Sequence, residues 1–282
     1  MIRALLVGAL LATSAQAQDI APRIAGTIEL TDGDVLLEGK DRKTRLPVNS
    51  ENVFEGDTVT TFPNGEIHLQ MADGASLIVR ENSKITIAEY VADGGEGDRS
   101  LIELAKGALR SITGWIGQYN RSNYKIRTPL VTIGVRGTDH EPSHLLDGDP
   151  RGEPGSYDKV NEGRAFMQGP DGVVEVPANR AVFRARARGA RPRLLASVPA
   201  FFRPGRFERR FVERARGARK TIVERRQARR EFLRRERGGR QLQPNRSLKD
   251  APRRELRKAE RPPRPQAQER RERRRSARDQ RQ

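Results

Sequence analysis

Asn64 to Tyr90 reads NGEIHLQMADGASLIVRENSKITIAEY. Ile67, Leu69 and Met71, then Leu77 and Val79, then Ile85 and Ile87 fall on every second position, and Asn64-Gly65, Asp73-Gly74 and Glu81-Asn82-Ser83 stand between the groups. Alternation with period two is the signature of a strand with one buried face, whereas a helix would space its apolar residues by three and four. Asn-Gly and Asp-Gly tolerate the positive φ of tight hairpin turns, so the stretch predicts successive hairpins.

The pattern extends in both directions. It begins at Ile24 and resumes after the glycine-rich break Asp93 to Gly97 in Leu101 to Leu104, Gly107-Ala108-Leu109-Arg110, Tyr124 to Arg127 and Val131 to Val135. A loop is expected from Glu141 to Tyr157, and Lys159-Val160, Ala165 to Met167 and Val173 to Val176 close the series. Many short strands with polar turns and no long helical pattern predict an all-β domain over residues 24–183, either a β-sandwich or a β-solenoid-like stack. A domain of that length buries roughly 70% of the surface of its unfolded chain, enough for one core.

The ends of the chain differ from this middle. Met1-Ile2-Arg3, the apolar run Ala4 to Ala12 and Ser14-Ala15-Gln16-Ala17 have the form of a secretory signal over 1–17, cut after Ala17, which places the mature protein in the periplasm or outside the cell. The apolar run falls short of the roughly 20 residues that span a bilayer, so no transmembrane segment is expected. Cysteine is absent, which excludes disulfides, thiol chemistry and cysteine metal sites. His68, His140 and His144 are the only histidines.

Lysine and arginine total 55 against 37 acidic residues, but the excess lies at one end. Residues 18–183 hold 18 basic and 26 acidic side chains; residues 184–282 hold 36 and 11. Such asymmetry predicts an acidic folded domain with a basic appendage. Within the appendage, 184–204 reads as a linker. Phe207, Phe211, Ala215, Ala218, Ile222 and Phe232 recur at helical steps among arginines, predicting a basic amphipathic helix over 205–237, stopped at Gly238-Gly239. Proline-rich, apolar-poor 238–282 is expected to be disordered. Arg209, Arg210, Arg225, Arg226, Arg229 and Arg230 then suit an anionic surface such as lipid headgroups or lipopolysaccharide phosphates, with the apolar stripe entering the interface. Nucleic acid fits less well, because aromatic stacking residues are missing beyond Gln241 and the export signal leads away from the nucleoid. The charge run could equally be solvated or fold back on the acidic domain.

Five motifs in order carry a family resemblance. They are a first strand led by Gly26, the step Gly56-Asp57-Thr58-Val59-Thr60, the turn Asp73-Gly74, the strand Gly107-Ala108-Leu109-Arg110, and Thr128-Pro129 followed by Arg136-Gly137-Thr138-Asp139-His140. Over roughly residues 24–183 the chain resembles the FecR domain. The resemblance implies a periplasmic β-domain in which Tyr124 to Glu141 forms a strand, a turn and a second strand. The best-known members of that family are regulators that cross the inner membrane and relay a transporter's signal to a sigma factor. This chain departs from them in showing no transmembrane helix or cytoplasmic segment, so the resemblance implies a cell-envelope binding or scaffold module.

Within the motif, Arg136 is expected as a structural tie to carbonyls or to a carboxylate such as Asp139. His140 and His144 could share a face for a metal only in a helix, which Pro142 opposes. No nucleophile elbow, phosphate loop or defensible Ser/His/Asp set is present, and no cofactor, metal or catalytic residue is assigned. Trp115 reads first as a core or rim aromatic that closes the strands; the alternative is a stacking platform, with Tyr119, for a ligand such as a peptidoglycan sugar. A non-enzymatic envelope module is thus expected, with regulation through protein contact and glycan binding as alternatives.

Overall fold

In a computed structural model of the chain, residues 22–219 and 221–241 are described. The signal sequence expected over 1–17 and the tail from 242 onward lie outside them. The strands are β1 (Ile24–Asp32), β2 (Val35–Glu38), β3 (Thr44–Arg45), β4 (Asn52–Phe54), β5 (Thr58–Thr61), β6 (Glu66–Met71), β7 (Ser76–Val79), β8 (Lys84–Val91) and β9 (Arg99–Ile112). A short helix α1 (Trp115–Tyr119) leads to β10 (Tyr124–Arg127), β11 (Thr132–Leu145), β12 (Gly155–Gly169), β13 (Gly172–Pro177), β14 (Arg180–Ala185) and β15 (Arg193–Leu194). Two helices follow, α2 (Glu208–Arg219) and α3 (Ile222–Gln241). Fifteen strands form one hydrogen-bonded sheet, antiparallel except for the parallel pair β9–β10.

Three long strands fold this sheet over on itself. The first half of β9 lies between β8 and β10, and its second half lies between β7 and β11. β11 pairs with β10 at Thr132 and Ile133 and with β9 from Asp139 to His144. β12 pairs with β14 over Gly155 to Val160 and with β13 over Arg164 to Gly169. At each changeover stands a glycine with positive φ: Gly107 at 91°, Gly137 at 59° and Gly163 at 78°. The result is a two-layer sandwich. Leu37, Val59, Ile85, Ile87 and Leu104 from one layer meet Ile28, Ile67, Leu69, Val79 and Leu109 from the other in a single core.

The alternating residues of Asn64 to Tyr90 lie where period two puts them: Ile67, Leu69, Met71, Leu77, Val79, Ile85 and Ile87 are all buried in that core. Asn64 and Asn82 adopt positive φ in their turns, as does Gly74. The loop expected over 141–157 is shorter, because β11 continues to Leu145 and β12 begins at Gly155. Pro142 enters β11 without losing a hydrogen bond it needs, since the ladder to β9 passes from His140 to Ser143.

The basic segment is built differently from the sequence expectation. Residues 184–204 are not a free linker. Arg184 and Ala185 finish β14, β15 pairs with β14, and Phe202 joins Leu145, Tyr157, Ala181 and Phe183 in a second apolar cluster, with Phe201 against it. The single helix expected over 205–237 is two helices, and α3 runs through Gly238-Gly239 to Gln241. A helical glycine costs only about 1 kcal/mol relative to alanine and need not end a helix. The apolar stripe faces the protein: Phe211, Val212 and Ala215 bury against Ile78 and Ile112, and Ile222 reaches the main core, while Phe232 stays exposed.

The corner glycines give the first prediction. A Cβ on Gly107 would lie 2.5 Å from the Ser83 Cα at a φ of 91°. Gly107→Ala should therefore lower the unfolding free energy by about 2–4 kcal/mol in urea titration. Gly97→Ala, with nothing within 4 Å of the new methyl, should change it by no more than about 0.5 kcal/mol.

Candidate functional site

The outer face of the β6–β7–β9–β11 layer carries a cluster of buried, paired charges. Alternation that sends Leu77, Val79 and Leu109 inward sends Ile78, Arg80, Arg110 and Ile112 outward. There α2 covers them. Glu208, the first residue of α2, is fully buried and accepts from Arg80 Nε at 3.2 Å, Arg80 Nη2 at 3.0 Å and Arg110 Nη1 at 2.7 Å. The Gly205 amide donates to the same carboxylate at 2.7 Å.

Both arginines are held from beneath by β11. Arg110 donates to Asp139 through Nε at 2.8 Å and Nη2 at 2.6 Å, the paired geometry that suits a guanidinium and a carboxylate. Arg80 Nη2 donates to Glu141 at 2.6 Å. From β12, Lys159 donates to Glu141 at 2.8 Å, and Asn161 donates to Glu141 at 2.9 Å and to Asp139 at 3.2 Å. Three carboxylates thus meet three cations, and this pairing is the condition under which buried charges are tolerated. Burial alone would raise the Glu141 carboxyl, but the Arg80 guanidinium, with help from Lys159 and Asn161, more than offsets it and holds the group at about 2. Burial works against the charged form of Arg110, and Asp139 with Glu208 reverses this, leaving its pKa raised.

Beside the box, His68 on β6 bonds to Glu66 and lies against the Phe211 ring at 4.6 Å between centroids. Arg216, two turns along α2, reaches Glu162 at 2.8 Å. A carboxylate, an aromatic ring and a guanidinium thus fasten the basic arm to the sheet, and Arg206 and Arg214 add ion pairs to Asp32 and Glu29 on β1.

The motif residues take separate places. Thr128 turns the chain between β10 and β11, its hydroxyl accepting from the Val131 amide at 3.0 Å, next to Pro129. Gly137 is a sheet corner, and Thr138 donates to the Arg164 carbonyl at 2.8 Å. The expected tie between Arg136 and Asp139 is not made. Arg136 is exposed over the Phe166 ring at 5.2 Å, and Asp139 belongs to Arg110, because the corner at Gly137 sends the two side chains apart. His140 is fully buried, 3.0 Å from Asp158 through Nδ1 and 3.0 Å from the Tyr124 hydroxyl through Nε2, while Tyr124 donates to Ser111 at 2.8 Å. Burial raises the Asp158 carboxyl, opposed by His140. His144, on the same strand, bonds instead to Ser156 at 3.0 Å.

Trp115 does not offer a stacking face. It is buried and donates through Nε1 to Asp98 at 2.6 Å, and Asp98 in turn accepts from the amides of Asp93, Gly94 and Gly95, closing the glycine-rich loop. Tyr119 is half exposed with the Arg226 guanidinium 4.8 Å above its ring. Of the six arginines singled out in the sequence, Arg209, Arg210, Arg225 and Arg230 are exposed, and Arg226 and Arg229 are partly buried. The reading of residues in isolation missed Arg80, Arg110, Glu141 and Glu208. The signal was the unbroken apolar run Leu77-Ile78-Val79, which alternation on a sheet with one open face does not produce.

Replacing Glu208 by Ala would leave two buried guanidiniums short of an acceptor, a change that costs about 3–5 kcal/mol in comparable pairs. Hydrogen exchange over 208–219 should accelerate while exchange in the core strands is kept; an unchanged rate would show that the box does not hold the arm. The depressed Glu141 carboxyl contributes stability that is complete above about pH 4.5 and is lost as pH falls toward about 2. Glu141→Gln should flatten that part of the pH dependence of the urea midpoint.

The family pattern described as FecR protein matches residues 57–150. That segment runs from β5 to just past β11 and contains Arg80, Arg110, Asp139 and Glu141, but not Glu208. Among solved structures, two crystal structures of a proposed anti-sigma factor from Parabacteroides distasonis ATCC 8503 each align over 50% of this chain and 60% of their own, at 12% identity and a TM-score of 0.40. A cell surface anchoring domain aligns over 22% of this chain and 82% of its own, at 24% identity and a TM-score of 0.22. No curated protein matches the chain. Residues 57–150, the stretch that supplies four of the charged groups beneath α2, match the FecR family pattern.

Proposed function

We propose that this is a non-catalytic, FecR-type module of the cell envelope, exported by its N-terminal signal, that associates with anionic surfaces through the arginines of α2 and α3. The observation that carries the reading is the orientation of the arm: its acid and its apolar stripe are used against the sheet, so Arg209, Arg210, Arg225 and Arg230 face outward from a fixed support. Phe211, Ala215 and Ile222 are therefore not available to enter a lipid interface, only Phe207 and Phe232 of the large stripe residues stay exposed, and attraction rests chiefly on charge. Each basic residue near an anionic membrane contributes about 1 kcal/mol, and the effect decays over a Debye length of about 10 Å at 0.1 M salt.

A second reading, regulation through protein contact, draws support from the FecR match. It predicts a specific protein crosslinked to the β-domain in intact cells, independent of the arginines. Glycan binding loses its support with the burial of Trp115.

Pelleting with vesicles separates the first reading from a solvated charge run. The full chain should sediment with vesicles containing phosphatidylglycerol and not with neutral ones, and sedimentation should fade as salt rises toward about 0.5 M. The variant with Arg209, Arg210, Arg225 and Arg230 all changed to Gln should remain in solution; equal pelleting of this variant would refute the proposal. Removing residues 184–282 is a poorer test, because it strips β15 and α2 from the sheet and bares Ile78, Ile112 and the arginine box.

A further inference from the structure

We infer that the groove along the start of α2 is a binding site for phosphomonoester or diphosphate groups carrying two or more negative charges. The inference rests on the surface-binding reading only in sharing Arg209 and Arg210, and it assigns these two a defined ligand. The groove has a volume of about 840 Å³. Arg110 lies among its lining residues, and Arg206, Arg209, Arg210 and Arg216 stand around it with Glu213 as the one carboxylate.

These arginines are not equally engaged. Arg206 lies 3.5 Å from Asp32 and Arg216 reaches Glu162 at 2.8 Å. Arg209 and Arg210 are exposed and form no ion pair among the described residues. Arg110 uses three N–H groups on Asp139 and Glu208, and a guanidinium has five. A nine-tenths buried cation with donors to spare thus meets two exposed cations without partners across a cleft wide enough for more than one phosphate. Guanidiniums recognise phosphate oxygens with paired, charge-assisted hydrogen bonds, and a doubly charged monoester or diphosphate gains more from such a cluster than a singly charged diester does. Sulfate, with the same charge as a monoester but no ester arm, is the natural comparison. The ligand could be free or lipid-borne.

Titration calorimetry of the full chain with pyrophosphate and with sulfate tests the free source. Flotation with vesicles carrying phosphatidic acid, or phosphatidylglycerol at equal surface charge, tests the lipid-borne one. The groove predicts pyrophosphate binding that exceeds sulfate binding and a preference for phosphatidic acid. It also predicts that the double change Arg209→Gln, Arg210→Gln weakens pyrophosphate binding at least about tenfold, whereas Arg188→Gln, Arg191→Gln, an exposed pair outside the groove, leaves it within about twofold. Absence of pyrophosphate binding together with equal flotation on both lipids would overturn the groove while leaving general surface association standing. Equal losses in the two double variants would overturn it as well. Pyrophosphate binding without any vesicle association would uphold the groove and remove the surface reading.

Discussion

The carboxylate of Glu208 is the buried charge at the centre of the junction between the two unlike halves of this chain. It sits out of water between Arg80 and Arg110, and neither arginine could remain buried on the sheet without acceptors from both sides. Asp139 and Glu141 supply those acceptors from below, and the arm supplies the last from above. Once Glu208 is placed, Phe211, Val212 and Ala215 fall over Ile78 and Ile112, and the outward direction of the remaining arginines follows from helix geometry. The location of the charges at the molecular surface is therefore set by one that is hidden.

Much of the β-domain could be read from residue order. Turn dipeptides and period two located β6, β7 and β8 because those strands obey purely local rules. The long strands were harder: β9, β11 and β12 change partners midway at Gly107, Gly137 and Gly163, and a glycine within an apolar pattern looks like an end rather than a corner. The loop expected from Glu141 began too early for a related reason, since whether a strand can carry Pro142 depends on which neighbouring ladder skips it. Trp115 as a buried residue was one of two open readings, and the distant Asp98 that fixes it has no local mark.

The arm was legible as a helix with an apolar stripe but not as a docked one. A glutamate among arginines suggests neighbouring pairs along the helix, and nothing local distinguishes Glu208 from Glu213 or Glu224. Their fates differ because Glu208 alone meets two arginines brought together by strands more than 90 residues away. The stretch that matches the FecR pattern likewise covers one side of that encounter: it holds the receiving groups and stops before the carboxylate they receive.

That separation along the chain bears on how the protein comes to be made. A polypeptide grows from its N-terminus, and long-range contacts form slowly because the intervening loop must close first. The sandwich can assemble before residue 208 has emerged, and until then Ile78, Ile112 and two arginines line a bare strand face. During that interval the nascent sheet resembles a half-finished interface, sticky toward apolar surfaces and toward acids, and the arrival of α2 is the step that takes it out of circulation.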